Sequence, residues 1–358
     1  MRIAVIGAGL SGCTMAHVLS RRHAVTVFEQ RPLLGGLCAT QKSNDLLFNL
    51  YGGHCFHTND DAIWAFVRSV ADWRTHIQQV AVNVNGTMVP FPPTKRESAM
   101  ASQYAVEGLA ADAGPFEIRC REKFGDWYFE TCIRDYSRHV WNCPVSAIPA
   151  WVADRLKPRR EDGSYFPEDR WSAMPVQGYS AFCEALLADS MAFTGVVATP
   201  DMDADFDFVV DSSPLSLNLT YQKIAFEATR LPMWPWPYDL VNEAKPAGYA
   251  RRFNYSIQYG QTDGGEAIYG FCTYNSPSGI ACYPKPWLSP EGAVRHKLAN
   301  SLEAYPKRMK VGRLGLYQYM DMDDAIRMAL SLSEHADEWA GLSVERKLEI
   351  YAKEGIRL

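Results

Sequence analysis

The pattern of apolar and polar residues at the start of the chain predicts a strand, a tight turn and a helix. An apolar run from Ile3 to Ile6 is typical of a buried parallel strand, and residues 13–20 continue as a helix. Between them, Gly7, Gly9 and Gly12 fill the spacing G-x-G-x-x-G. The order strand, glycine turn, helix is one in which each element supports the next.

A second strand, 24–28, follows this helix and ends at Glu29. In such a unit Gly7 makes the turn, Gly9 lets backbone N–H groups approach a pyrophosphate, and Gly12 lets the helix press on the strand. The helix N-terminus faces the phosphates, and the acid accepts from a ribose hydroxyl. Glycine turns also occur for purely structural reasons, but the strand, helix and acid together predict a βαβ unit that binds an adenine dinucleotide.

Two later helices have start signals. Thr58 or Asn59 can cap a helix that has Asp60 and Asp61 in its first turn. Near the end of the chain, Asp321 precedes another helical pattern and can act as its N-cap.

The middle of the chain changes pattern three times. Residues 80–88 alternate around Asn85-Gly86, which predicts a hairpin. Residues 98–141 are alanine-rich and helical, which indicates an inserted helical lobe. Residues 144–175 contain five prolines and are predicted to form extended strands that return toward a ligand. This last stretch also carries a basic cluster: Arg155, Lys157, Arg159 and Arg160.

Another helix is predicted at 178–189, a strand returning to the first sheet at 206–210, and a second, antiparallel sheet at 221–283. The predicted class is therefore α/β: a Rossmann-like βαβ domain with an inserted helical lobe and an antiparallel sheet domain for substrate. The predicted boundaries are 1–80, 190–215 and 305–358 for the dinucleotide domain, 95–145 for the lobe, and 80–94, 146–190 and 216–304 for the sheet domain.

Composition argues against some classes of binding partner. The 36 basic and 41 acidic residues give no overall field that would attract nucleic acid or an anionic membrane. The first strand begins too early for a signal peptide, and no apolar run approaches the length of a membrane span. The nine cysteines show no metal-ligand spacing. We expect reduced thiols, a cytoplasmic location and no bound metal.

The residues that follow Glu29 distinguish FAD from NAD as the bound dinucleotide. Glu29 with Gln30, Arg31, Gly35 and Gly36 gives E-x-R-x-x-x-G-G, which resembles the extended motif of FAD-dependent enzymes of the glutathione-reductase-like kind. The paired glycines would let the chain pass the diphosphate without a side-chain clash. FAD is therefore the expected cofactor.

Over nearly its full length the chain resembles the UDP-galactopyranose mutase family. The segments that carry the resemblance are GAGLSG (7–12), YGGHCFHTND (51–60), the stretch 136–141 and GRLGLYQYMDM (312–322). The resemblance implies a flavoenzyme that interconverts the pyranose and furanose rings of a nucleotide sugar, without net redox change, through attack of N5 of reduced FAD on the anomeric carbon. It also implies a transient NAD(P)H or other reductant and a homodimer.

The resemblance assigns roles to individual residues. His54 and His57 lie in a loop beside the flavin, and His57 tunes the flavin or relays protons. Arg159, or its neighbour Arg160, and Arg251 clamp the diphosphate, because a guanidinium binds phosphate oxygens in bidentate fashion. The implied substrate contacts are Tyr136 and Trp141, which stack on uracil, and Tyr165.

The remaining implied residues lie toward the C-terminus. Tyr283 and Tyr319 direct hydroxyl groups at the diphosphate. Arg313, Asp321 and Met322 belong to the closing segment that binds the flavin.

Four positions depart from the family pattern. The family's PFN is Pro90-Phe91-Pro92 here, and members of two tyrosine pairs are Cys282 and Met320. The T-G-x-x-D segment is replaced by Ser212-Ser213-Pro214. The changes surround the sugar and the nucleotide, so the resemblance specifies ring contraction and leaves the sugar and the base open.

Two other functions are compatible with the N-terminal motif. An oxidoreductase of the amine-oxidase or desaturase kind shares it, but would need an apolar substrate channel, whereas the two matched arginines favour an anionic ligand. A flavin-bound scaffold without turnover would lack a catalytic element, whereas His57, Arg251 and Tyr319 are all present.

Overall fold

The computed structural model describes residues 1–104, 109, 113–161, 163–216, 218–261 and 263–357. The strands, in chain order, are β1 (Arg2–Ile6), β2 (Ala24–Glu29), β3 (Thr40–Ser43), β4 (Leu46–Asn49), β5 (Phe56–Thr58), β6 (Trp73–Thr75), β7 (Val80–Val84), β8 (Thr87–Pro90), β9 (Trp171–Pro175), β10 (Met191–Thr194), β11 (Phe208–Asp211), β12 (Tyr221–Pro232), β13 (Leu240–Ala247), β14 (Tyr249–Asn254), β15 (Glu266–Tyr274), β16 (Ile280–Pro284) and β17 (Arg308–Lys310). The helices are α1 (Leu10–Leu19), α2 (Asp61–Val70), α3 (Lys95–Ala101), α4 (Pro115–Phe124), α5 (Asp126–Tyr128), α6 (Arg134–Trp141), α7 (Ala150–Asp154), α8 (Tyr179–Leu186), α9 (Tyr255–Tyr259), α10 (Ala293–Ala304), α11 (Gly312–Gly315), α12 (Met322–Ser333) and α13 (Val344–Lys353).

The first sheet is parallel and has the strand order β10-β2-β1-β11-β17. Ile3 in the central strand aligns with Val25 on one side and with Phe208 on the other. Both neighbours bury β1, which explains why its sequence is a continuous apolar run. Helices α1, α8 and α12 pack together on this unit. The predicted α/β class and the returning strand are confirmed.

The second sheet has seven strands in the order β16-β12-β15-β14-β13-β7-β8. It is antiparallel, as predicted, except that β13 pairs with β7 in parallel, aligning Asn242 with Val82. The predicted hairpin joins β7 to β8, and its turn residues Asn85 and Gly86 have φ of 51° and 90°. On the other side of Asn242 lies Arg251 of β14. This row of neighbouring strands forms the floor of a cleft.

The inserted lobe is helical, as expected, and contains α3 to α6 with a π-helical turn at Phe129–Ile133. Phe116, Phe124 and Phe129 are fully buried and belong to a separate apolar core. Residues 105–108 and 110–112 of the predicted helical stretch lie outside the described residues. The last helix of the lobe, α6, presents one side to the cleft.

Two local predictions are wrong. In the described part of 144–175 the one strand is β9, and it is preceded by the short helix α7 rather than by extended strands. The N-cap of α2 is Asp60, whose carboxylate accepts from the N–H groups of Ala62 and Ile63. Thr58 cannot take that position because it belongs to β5.

The small sheet β5-β9-β6 connects these parts and brings the histidine loop to the cleft. Asp321 occupies the N-cap position of α12, as predicted. Among the described residues, no helix is both long enough and apolar enough to cross a membrane.

Candidate active site

The glycine turn after β1 has the geometry that a bound diphosphate needs. Gly7 has φ of 91°, in the left-handed region that favours glycine. A Cβ on Gly12 would lie 2.0 Å from the carbonyl oxygen of Gly7, so helix and turn touch directly. Helix α1 begins after Gly9 without a side-chain cap, which leaves N–H groups of its first turn for a ligand.

A second glycine turn approaches the first. Gly35 and Gly9 form a parallel bridge, and a Cβ on Gly36 would lie 2.8 Å from the Cα of Gly9. The two turns are therefore in direct backbone contact, with no side chain between them at Gly9 and Gly36. This arrangement suits a phosphate group that must approach main-chain N–H groups closely.

Glu29 lies at the end of β2 and is buried. Its Oε2 accepts from the N–H of Ala8 at 2.8 Å, and its Oε1 accepts from the N–H of Arg31 at 2.9 Å. These bonds fix the carboxylate beside the glycine turn, where it can also accept from a ribose hydroxyl. The guanidinium of Arg31 lies 4.9 Å from the ring centre of Tyr51, and Gln30 is exposed.

A cleft of about 890 Å³ lies between the sheets and the helical lobe. Most of the site residues predicted outside the dinucleotide turn line it: His54, His57, Tyr136, Trp141, Tyr165, Arg251, Tyr283, Arg313, Tyr319, Asp321 and Met322. Arg159 is absent from this lining. Residues far apart in sequence therefore meet in one site.

His54 belongs to the histidine loop, residues 51–60, and lines the cleft. Its Nδ1 lies 2.9 Å from the carbonyl oxygen of Gly52, which can only accept, so Nδ1 carries the proton. Burial, reinforced by the positive charge of Arg313, lowers the pKa of His54 to about 4. At neutral pH the ring is neutral and Nε2 is a hydrogen-bond acceptor.

Arg313 is held at the base of the cleft between two tyrosines. Its Nε and Nη2 donate to the carbonyl oxygen of Met320 at 3.0 and 2.5 Å. The rings of Tyr283 and Tyr319 are stacked 5.4 Å apart, and the guanidinium lies 5.1 and 5.3 Å from their centres. The positive charge therefore lies within cation–π distance of both phenol rings.

Arg251 is anchored on the sheet floor. Its Nε donates to Oδ1 of Asn242 at 2.8 Å, and its Nη2 donates to the hydroxyl of Tyr136 at 2.5 Å. Burial raises the pKa of Tyr136, whereas the positive charge of Arg251 opposes that rise. The arginine thus joins the sheet to helix α6 and places a fixed positive charge in the cleft.

Arg155, which the sequence placed only within a basic cluster, also lines the cleft. It follows α7 as its C-cap residue, and its guanidinium lies 3.6 Å from the ring centre of Tyr319. Its Nη2 donates to both carboxylate oxygens of Asp321, at 2.9 and 3.1 Å. Burial alone would raise the pKa of Asp321, but Arg155 and its other positive neighbours hold that pKa below its ordinary value.

Arg159 is placed elsewhere. It pairs with Glu97 of the helical lobe at 2.6 Å. Because residues 155–170 have no periodic pattern, spacing alone could not show which arginine of the cluster faces the cleft. The structure favours Arg155 over Arg159 and its neighbour Arg160 as the partner of Arg251.

His57 lies in the middle of β5. Its Nδ1 is 2.6 Å from Oδ2 of Asp169, and its ring stacks on Phe166 at 3.6 Å with an interplanar angle of 15°. Asp169, two residues before β9, is a site residue that no sequence pattern indicated.

Aromatic side chains form the outer wall of the cleft. Trp141, Trp151 and Trp287 pack edge to face, and Lys285 donates to the carbonyl oxygen of Trp141 at 2.7 Å. Tyr165 packs edge to face with its neighbour Phe166. Flat aromatic surfaces next to two arginines suit a ligand with an aromatic base and a diphosphate.

The four departures from the family pattern occupy different places. Phe91 and Pro92 line the cleft, whereas Cys282 and Met320 are buried outside its lining. The hydroxyl of Ser212 donates to the carbonyl oxygen of Ile6 at 2.8 Å and supports the glycine turn.

Two family models match different parts of the chain. A family model described as UDP-galactopyranose mutase matches residues 131–319, and one described as an NAD(P)-binding Rossmann-like domain matches residues 5–70. The chain is 25% identical to a probable UDP-galactopyranose mutase of Klebsiella pneumoniae over 93% of this chain and 94% of that protein. It is 21% identical to dTDP-fucopyranose mutase of Escherichia coli, over 93% and 97%.

The fold is also that of a solved structure. A crystal structure of reduced UDP-galactopyranose mutase superposes with a TM-score of 0.70 at 15% identity, covering 98% of this chain and 97% of that chain. The UDP-galactopyranose mutase model spans more than half of the sequence and includes the cleft residues from Tyr136 to Tyr319, whereas His54 and His57 precede its range. This chain belongs to the UDP-galactopyranose mutase family.

Proposed function

We propose that the protein is a flavin-dependent isomerase that interconverts the pyranose and furanose forms of a nucleotide sugar. One observation carries the proposal: Arg155 and Arg251 line the same cleft as the aromatic residues Tyr136 and Trp141. Arginine pairs suit a diphosphate and aromatic faces suit a base. The relatives named UDP-galactopyranose mutase and dTDP-fucopyranose mutase support UDP and dTDP sugars as the first ligands to test.

FAD is the proposed cofactor, and the residues present fit it. The turns at Gly9 and Gly36 meet through backbone where a Cβ on Gly36 would clash, and Glu29 is held beside the turn that follows β1. His54 and Met322 line the cleft. When bound and reduced, FAD would supply N5 as the nucleophile for the anomeric carbon.

The proposed role of Arg155 and Arg251 is to bind the diphosphate and to stabilise the negative charge that it gains as the anomeric bond breaks. Arg251 is preorganised by Asn242 and Tyr136, so little rearrangement is needed when charge develops. Arg155 is more exposed, with 33% of its side chain accessible, and can reach a ligand from the opposite wall.

The proposed role of the histidines is to hold or move protons at ring nitrogens. His54 offers a bare Nε2, because its Nδ1–H is engaged by the carbonyl oxygen of Gly52. His57 is bound through Nδ1 by Asp169, and its Nε2 is the remaining nitrogen for the cleft. Tyr283 and Tyr319 can donate hydroxyl groups to the diphosphate.

An oxidase or desaturase of hydrophobic substrates requires an apolar channel. The described residues that line this cleft do not form one. In the described part of the chain the cleft is lined by several charged groups, including Arg155, Arg313, Asp321 and Asp323. The charge pattern favours the mutase over that alternative.

The test is turnover of the purified protein with UDP-galactofuranose and with dTDP-fucofuranose, before and after reduction by dithionite, followed by chromatography of the pyranose product. We expect turnover only after reduction. Absence of bound flavin would refute the cofactor assignment. Flavin reduction by the sugar, with formation of an oxidised product, would refute the mutase in favour of an oxidoreductase.

A further inference from the structure

A histidine–carboxylate pair connects the histidine loop to the segment that carries Arg155. Asp169 Oδ2 lies 2.6 Å from Nδ1 of His57, and the two side chains are 23% and 17% exposed. Phe166, three residues before Asp169, covers one face of the imidazole ring at 3.6 Å. The ring is therefore fixed both in its plane and perpendicular to it.

The chemistry of the pair determines which nitrogen carries the proton. A carboxylate only accepts hydrogen bonds, so the bond requires a proton on Nδ1 of His57. In the neutral ring, Nε2 is then a bare acceptor. Because His57 lines the cleft and Asp169 engages Nδ1, Nε2 is the nitrogen left for a ligand.

We propose that Asp169 is a positioning residue that fixes the Nδ1–H tautomer of His57, so that Nε2 serves as the proton relay of the ring interconversion. This inference deepens the proposed function and rests on it for the reaction concerned. Asp169 itself acts only through His57.

The relay balances within the substrate. When two oxygens of a sugar exchange at the anomeric carbon, the oxygen that bonds to that carbon loses a proton and the oxygen that leaves it gains one. The proton that the leaving oxygen gains and the proton that the bonding oxygen loses both pass through Nε2, so His57 returns to its starting state in each cycle. No external oxidant or base is consumed.

Other charged groups face the same ring. Asp321 and Asp323, at the start of α12, both interact electrostatically with His57, and Asp321 is already paired with Arg155. Ser172 of β9 aligns with His57 across the small sheet. These neighbours contribute to the charge of the site, whereas the contact with Nδ1 comes from Asp169.

The first test is Asp169→Asn. An amide can donate to Nδ1, which would move the proton of the neutral ring to Nε2 with little change of shape. We expect long-range ¹H–¹⁵N NMR of ¹⁵N-histidine-labelled protein to show the change of tautomer at His57, assigned by its loss in His57→Gln. This measurement needs neither flavin turnover nor substrate, so it remains decisive even if the proposed function fails.

The second readout is kinetic. In Asp169→Asn we expect kcat to fall about 10- to 100-fold, part of the contribution of a general acid–base group, with KM and flavin content within about twofold of wild type. Asp169→Glu keeps an acceptor carboxylate and should restore the tautomer and much of kcat. The matched control is Asp61→Asn, which removes an exposed carboxylate paired with the adjacent Arg170.

An unchanged His57 tautomer in Asp169→Asn would overturn the inference. A similar loss of kcat in Asp61→Asn, or a loss in Asp169→Asn that appears in KM or flavin content instead, would also overturn it, because either result indicates a merely structural role. Circular dichroism melting of each variant distinguishes these outcomes from failure to fold.

Discussion

Replacing Arg155 with lysine should weaken the binding of UDP by about 1.5 to 3 kcal/mol while leaving the fold intact. The substitution keeps the positive charge but removes the planar fork. In the structure, Nη2 of Arg155 is committed to Asp321 at 2.9 and 3.1 Å. Among the described residues, none accepts a hydrogen bond from Nε or Nη1 of Arg155. These two groups can therefore donate to a phosphate while the ion pair with Asp321 persists.

The magnitude follows from the contacts that lysine cannot reproduce. An ammonium group can serve either Asp321 or a phosphate well, so one charge-assisted hydrogen bond is lost, at about 1.5–3 kcal/mol. The stacking of the guanidinium on Tyr319 at 3.6 Å exists without the ligand, so its loss affects the free energy of folding and is not counted in the binding of UDP. A loss of about 1.5 to 3 kcal/mol corresponds to about a 10- to 150-fold increase in Kd.

The assay is isothermal titration calorimetry of UDP into wild type, Arg155→Lys and Arg159→Lys. Arg159 provides the matched control because its ion pair is with Glu97 and outside the cleft. For Arg159→Lys we expect a Kd within about twofold of wild type. Binding that is unchanged in Arg155→Lys, or reduced equally in both variants, would refute the assignment of Arg155.

Three further predictions concern the glycine turn, the aromatic wall and the histidine loop. Gly12→Ala would place its Cβ 2.0 Å from the carbonyl oxygen of Gly7, so we expect loss of bound flavin absorbance and a destabilisation of about 3 kcal/mol or more in denaturant titrations. Trp141→Ala should raise the Kd for UDP about 5- to 150-fold, since stacking on a base contributes about 1–3 kcal/mol, whereas the exposed Trp236→Ala should leave it unchanged. The pKa of His54 is about 4 in the fold against an ordinary 6.5, so the unfolded chain binds the extra proton between these values. The free energy of unfolding of the wild type should therefore have its full value above about pH 6.5 and fall by up to about 3 kcal/mol toward pH 4. Urea titrations at each pH should show that His54→Gln lacks this part of the decrease.

Each of these predictions has an opposite result. Gly12→Ala that retains flavin would show that the turn and helix can separate. Equal UDP binding by Trp141→Ala and wild type would place the base elsewhere. If His54→Gln has the same pH dependence as wild type, His54 is not the group that titrates.

The parts of the molecule that follow local rules could be predicted from the sequence. The turn at Gly7, the contact at Gly12 and the hairpin at Asn85-Gly86 depend on residues within a few positions of each other. The cap of α2 was predicted at Thr58 or Asn59, one or two residues before the observed Asp60, because all three are capping residue types; the pairing of β5 excludes Thr58.

The rest depends on contacts between distant segments. The parallel pairing of β7 with β13 is specified by neither strand alone. Arg155 and Asp169 lie in a stretch without regular periodicity, so no pattern showed which side chains face the cleft. The resemblance to a family brought together Arg251, Tyr283 and Tyr319, but it could not resolve the arginine cluster, where loop length differs.

The strand order of the first sheet has a consequence for folding. Its central strand β1 aligns Ile3 with Phe208, and Val209 of β11 in turn aligns with Arg308 of β17. During synthesis β1 and β2 can pair early. The edge of β1 that pairs with β11 stays unpaired until the helical lobe has been synthesised, and β17 is synthesised only after the second sheet. Such distant pairings slow folding and expose strand edges in partly folded chains. Chaperone demand should therefore be greatest while the ribosome is translating the lobe and the second sheet, and the nucleotide-binding sheet is completed only near the end of translation.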